Sequence, residues 1–89
     1  MQWEQFVRKA LQQFQFDEGL IPGGRFSEAW KLAIASWLKR HSSVSNAWLS
    51  KRLNMGAPNA VSNNCGRYQR EREGSCSYAK KLKDMKYEQ

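Results

Sequence analysis

Histidine is nearly missing from this chain, with His41 alone, and cysteine occurs only at Cys65 and Cys76, far from any CxxC spacing. A structural zinc site needs four nitrogen or sulfur ligands close together, so neither metal nor other cofactor is expected. Long apolar runs are missing too. Nothing approaches the roughly 18 residues of a membrane span. "MQWEQFVRKA" has no apolar core of a signal peptide. The thiols are therefore read as reduced, in a cytoplasmic protein with no membrane partner. Proline stands only at positions 22 and 58, so long helical patterns run uninterrupted. No strand-like alternation and no internal repeat is visible.

Catalytic patterns are equally scarce. Asp17 and Glu18 are adjacent at a helix end, which does not make a paired-carboxylate site. The "GG" at 23–24 lacks the lysine and serine or threonine of a phosphate loop. His41 reads as a dipole partner at a helix C-terminus or a plain surface residue, not as a catalyst. The chain is not expected to be an enzyme, and no small-molecule substrate is evident.

What the chain does have is aromatic bulk and positive charge. Its 89 residues make one domain, which at this size buries only about 60–65% of its unfolded surface. Four Trp, four Phe and three Tyr allow a small, dense core. Lys and Arg number 15 against 8 Asp and Glu, for a net charge of +7. The excess is uneven. Residues 1–36 are neutral, whereas residues 37–74 hold Lys39, Arg40, Lys51, Arg52, Arg67, Arg70 and Arg72 against Glu71 and Glu73. A neutral front and a basic back imply a polyanion-binding half.

Apolar periodicity predicts an all-α fold, a small bundle of four to five helices containing a helix-turn-helix. Trp3, Phe6, Val7, Ala10, Leu11 and Phe14 mark one face of a helix over about 2–15. Ser27 is the expected N-cap, with Phe26 as staple residue, of a helix over 27–41 whose core stripe is Trp30, Ala33, Ile34, Trp37 and Leu38. Ser45 or Asn46 caps a short third helix to about 54. Gly56 suits left-handed backbone after it, with Met55 as apolar filler. Pro58 fits the first position of a fourth helix running to 72. Val61, Cys65, Tyr68 and Arg72 align along one side of it, and Asn59, Asn63, Gly66 and Arg70 along the other. Gly66 implies either a kink or the close approach of another backbone. Tyr78, Leu82 and Met85 allow a last helix over 77–86. The expected division is a helix-turn-helix domain with its scaffold helices over 1–76, and a short helix or basic tail over 77–89.

Helix, tight turn and longer helix over 46–72 predict a domain that lays its second helix in the major groove of DNA. Asn59, Ser62, Asn63, Arg67 and Arg70 are the candidate outward residues. Asparagine bonds adenine and arginine bonds guanine in a bidentate way. Lys51 and Arg52, with Ser62, are candidates for phosphate contacts, which position a protein without reading sequence. A monomer is expected. The alternative reading is an interaction adaptor that offers a basic helical surface to an acidic protein.

The segment "VSNAWLSKRLNMGAPNAVSN" resembles one near the C-terminus of the REP-associated tyrosine transposases. Trp48, Leu49, Arg52, Leu53, Met55, Gly56, Val61 and Ser62 carry the resemblance, which covers about residues 25–72. It implies a helix-turn-helix DNA-binding accessory. The family's nuclease needs a His–hydrophobic–His pair, and a chain with one histidine has none. The resemblance is thus to the DNA-binding part alone. The stretch "NNCGRYQRERE" also departs from the family's recognition helix, so no sequence preference carries over.

Overall fold

Trp3–Phe14 form helix α1, and its apolar stripe is buried as the spacing predicts: Phe6, Val7, Ala10, Leu11 and Phe14. The computed structural model describes residues 3–17, 19, 21 and 28–84. Helix α1 ends in a Schellman turn. Gln15 N–H bonds the Gln12 carbonyl at 3.0 Å, Phe16 N–H bonds the Leu11 carbonyl at 2.9 Å, and Gln15 takes φ 62°.

Helix α2, Ala29–His41, is the centre of the molecule. Its burial corrects the single expected stripe. Trp30, Lys31, Leu32, Ala33, Ile34, Ala35, Ser36 and Leu38 are all buried. A helix enclosed on nearly every side is a core helix rather than a surface one. Trp37, expected inside, is half-buried and stacks on Phe6, with ring centroids 4.1 Å apart and planes at 11°. The helix starts two residues later than expected. Glu28 holds the N-cap position without a side-chain cap bond, and Ser27 and Phe26 lie outside the described residues.

Helix α3, Asn46–Arg52, is capped by Ser45, whose hydroxyl accepts the Trp48 N–H at 3.1 Å. Helix α4, Pro58–Glu71, has Pro58 in its first turn. A short 3-10 turn, Glu73–Ser75, leads to helix α5, Ser77–Asp84. Helices α1, α4 and α5 pack on α2, and α3 lies against α4. Among the described residues there are five α-helices and no strand. The C-terminal helix is not a loose tail. Leu82 is 2% exposed in the common core, a burial worth about 1.5–3 kcal/mol. Tyr78 meets Phe14 edge-on at 4.9 Å. Met85 lies outside the described residues.

Polar links fix the helices to one another. The Glu4 carboxylate of α1 takes both Arg52 Nε at 2.6 Å and Arg52 Nη2 at 2.8 Å, across 48 positions of sequence. Arg40 and Glu73 pair at 2.5 Å, tying the end of α2 to the turn after α4. Lys39 Nζ donates to Asn46 Oδ1 at 3.0 Å, linking α2 to the start of α3.

Candidate nucleic-acid interface

The inner side of α4 is set by Val61, Cys65 and Tyr68, each at most 1% exposed. The step of about 100° per residue sends the opposite side to solvent. Asn59, Ser62, Asn63, Arg67 and Arg70 are all exposed, and they lie at i, i+3, i+4, i+8 and i+11 on one stripe. Five of the candidate residues are thereby brought together on one rigid element. No acidic residue occurs on α4 before Glu71. Lys51 is exposed on the neighbouring α3. Among the described residues Lys51, Arg67 and Arg70 make no ion pair. Glu73, an acid that would oppose an anion here, is engaged by Arg40.

Arg52 is placed differently from the sequence expectation. Its guanidinium is held by the two Glu4 oxygens, and its side chain is 20% exposed. A fork-to-fork pair of this kind is directional and charge-assisted, so Arg52 clamps α3 to α1 instead of standing ready for phosphate. Arg72 also leaves its expected alignment. It is the C-cap of α4, where the chain turns away, and it is exposed rather than seated beside Tyr68.

Two left-handed residues, not one, make the α3–α4 turn. Asn54 at φ 53° closes α3, and Met55 N–H bonds the Ser50 carbonyl at 3.0 Å. Gly56 at φ 86° then redirects the chain into α4. Leu53 and Met55 are fully buried on either side of Asn54. Asparagine tolerates this backbone because its short polar side chain bonds locally. The α3 helix is therefore shorter than expected, ending at Arg52.

Gly66 lies at the middle of the exposed stripe. The helix is continuous through it, from Pro58 to Glu71. Among the described residues a Cβ there would meet only Arg70 Nη1, at 3.7 Å, and no backbone from outside the helix. Close approach of another described backbone is therefore not what the glycine serves. A mid-helix glycine costs about 1 kcal/mol relative to alanine, and the fold gains nothing visible from it.

The Cys65 thiol is buried, and burial pushes its pKa up despite the nearby Ser36 hydroxyl. Tyr68 is raised strongly by burial, with Cys76 alongside adding to the shift, and its hydroxyl has no well-formed hydrogen bond. Arg52 first, against an opposing desolvation, holds the Glu4 carboxyl below the usual value. His41 rests its ring on Trp37 at 4.1 Å. Among the described residues no group of His, Cys, Asp and Glu could hold a metal ion, and no helix is long and apolar enough to cross a membrane.

Sequence reasoning missed Lys31, which is 0% exposed. Its ammonium donates to the Ile21 carbonyl at 2.8 Å and the Asn54 carbonyl at 3.4 Å. Burial lowers its pKa, against an opposing pull from Glu28. The available signal was a single charge ahead of the apolar run "LAIASWL". The chain matches no family model, no curated protein and no solved structure.

Proposed function

We propose that this protein binds DNA, with α4 laid in the major groove of a duplex and α3 above the phosphate backbone. The observation that carries the reading is the α4 stripe: Asn59, Ser62, Asn63, Arg67 and Arg70 exposed together while Val61, Cys65 and Tyr68 anchor the other side. Such a helix offers amides and guanidinium groups at base-edge reach, on a support too well packed to roll. Lys51 supplies a phosphate contact from α3. Gly66 fits the same picture, because a helix without a side chain at that point comes closer to its target. The resemblance of residues 25–72 to the tyrosine-transposase segment supports a transposase-related accessory or regulator, acting as a monomer in the cytoplasm on duplex or hairpin DNA.

Size limits the contact. Across the described residues the longest Cα extent is 29 Å, less than the roughly 34 Å of one duplex turn. Helix α4, with 14 residues, is about 21 Å long. With about four to six phosphates neutralised, log K should fall with log salt at a slope of about −4 to −5.

Selection from a random DNA pool, followed by titration at two salt concentrations, tests this. Arg67→Ala and Asn63→Ala should each cost about 1–3 kcal/mol at the selected site and relax base preference there. Lys51→Ala should weaken all sequences alike and flatten the salt slope by about 1. Hairpin and single-stranded competitors distinguish a duplex target from a structured one. No binding to any nucleic acid at low salt, with retention on an acidic protein surface, would replace this reading with the adaptor.

A further inference from the structure

We propose that Lys31 is a positioning residue for α4: its buried ammonium ties the Asn54 carbonyl, in the α3–α4 turn, to the Ile21 carbonyl and so fixes the angle at which α4 is presented. All other described lysines are exposed or half-exposed. Lys31 alone is withdrawn from water completely. A buried ammonium is tolerated only where acceptors replace its hydration, and among the described residues these are two backbone carbonyls, at 2.8 and 3.4 Å. One of them belongs to the residue whose left-handed φ of 53° sets the path from α3 into α4.

The neighbours explain why a directed bond is needed at this point. Leu53 and Met55 flank Asn54 and are fully buried. Apolar contacts hold the turn down but are non-directional. They leave its rotation over α2 to be set by something else. The bond from Lys31 to the Asn54 carbonyl provides that, because it starts from α2, the helix on which α4 itself packs. Turn and recognition surface are thereby referred to one scaffold element.

Its consequence for base reading rests on the DNA proposal, but the geometry does not, and the experiments separate the two. In wild-type protein, side-chain nitrogen NMR should show one lysine ammonium in slow exchange, and Lys31→Met should delete that signal. The variant should keep its helical content and cooperative unfolding. Exchange of the Met55 amide should rise about tenfold or more relative to that of Val61, as expected for a local opening of the turn. Residual dipolar couplings should report a changed α4 direction relative to α2. On DNA, Lys31→Met should lose about tenfold in discrimination between the selected site and random duplex. Affinity for random duplex should change less than about twofold, since Lys51, Arg67 and Arg70 are untouched.

Absence of a slowed ammonium, or an unchanged α4 direction in the variant, overturns the proposal, as does unchanged discrimination where α4 has moved. A moved α4 in a chain that binds no DNA upholds the staple and ends the nucleic-acid reading alone. Should Lys31→Met fail to fold, Lys31→Ala with added propylammonium or 1-chloropropane, which fills the same space without a donor, decides. Recovery with the ammonium alone supports a directed bond, and recovery with both or neither overturns it.

Discussion

Replacing Gly66 with alanine separates what α4 needs for folding from what it needs for binding. The position is mid-helix, half-buried and free of positive φ. The new methyl would touch only the tip of Arg70, at 3.7 Å, an ordinary contact with a flexible side chain. Among the described residues nothing therefore offsets the helix-propensity gain of about 1 kcal/mol. Allowing for imperfect relief, Gly66→Ala should stabilise the fold by about 0.5–1 kcal/mol. For a domain of this size that raises Tm by about 2–8 °C. Urea unfolding should shift its midpoint up by roughly half a molar at constant m-value. The same methyl stands in the middle of the Asn59–Arg70 stripe, so duplex affinity should fall about threefold or more if α4 lies close against its target. A drop in stability would refute the structural reasoning, because it would mean the methyl meets something inside the fold. Higher stability with unchanged duplex affinity would refute the α4 contact surface and leave the fold intact.

Other substitutions probe the frame. Gln15→Gly should stabilise by about 0.5–1 kcal/mol, since Gln15 is exposed and holds φ 62° in the turn that ends α1, where glycine is unstrained; thermal unfolding measures it, and a lower Tm would contradict that account. Glu4→Gln should cost about 0.5–1 kcal/mol at neutral pH, the range for a partly exposed pair. Because Arg52 lowers the folded pKa of Glu4, that contribution is complete above the ordinary value of 4.5 and fades as pH falls through the folded pKa. Wild type and variant should then converge in acid, and a constant gap down to pH 2 would rule the pair out as its source. Tyr68→Phe should be neutral or stabilising by up to about 1 kcal/mol, as it removes a buried hydroxyl without a good partner. Because burial raises the folded pKa of Tyr68, its ionisation leaves stability unchanged below the ordinary value of 10.0 and lowers it as pH climbs beyond that. Ultraviolet titration of the folded protein should therefore find this one phenol silent until the chain unfolds. Ionisation at ordinary pH in the native state would contradict its burial.

Which parts of the architecture were legible in the linear order of residues follows from how local their causes are. The buried stripe of α1, the Ser45 cap, Pro58 at the start of α4 and the inward Val61, Cys65 and Tyr68 depend on neighbours within one or two turns, so periodicity and capping chemistry determine them. The outward stripe of α4 is determined in the same way, as the complement of its inner face. Other features depend on distant residues. That α2 is enclosed on nearly every side, that Arg52 turns to Glu4 across the molecule, and that α5 seats Leu82 in the common core are consequences of which helices meet. Lys31 is the sharpest case. Its charge is invisible to a hydrophobicity pattern as anything but a surface residue, and only the folded chain brings the carbonyls of Ile21 and Asn54 within reach of its ammonium. Periodicity in the sequence determined which side of each helix is apolar, because that is a property of spacing alone. Tertiary structure decided which polar groups are spent inside, because their partners lie elsewhere in the chain and desolvation is set only once the helices have closed around them.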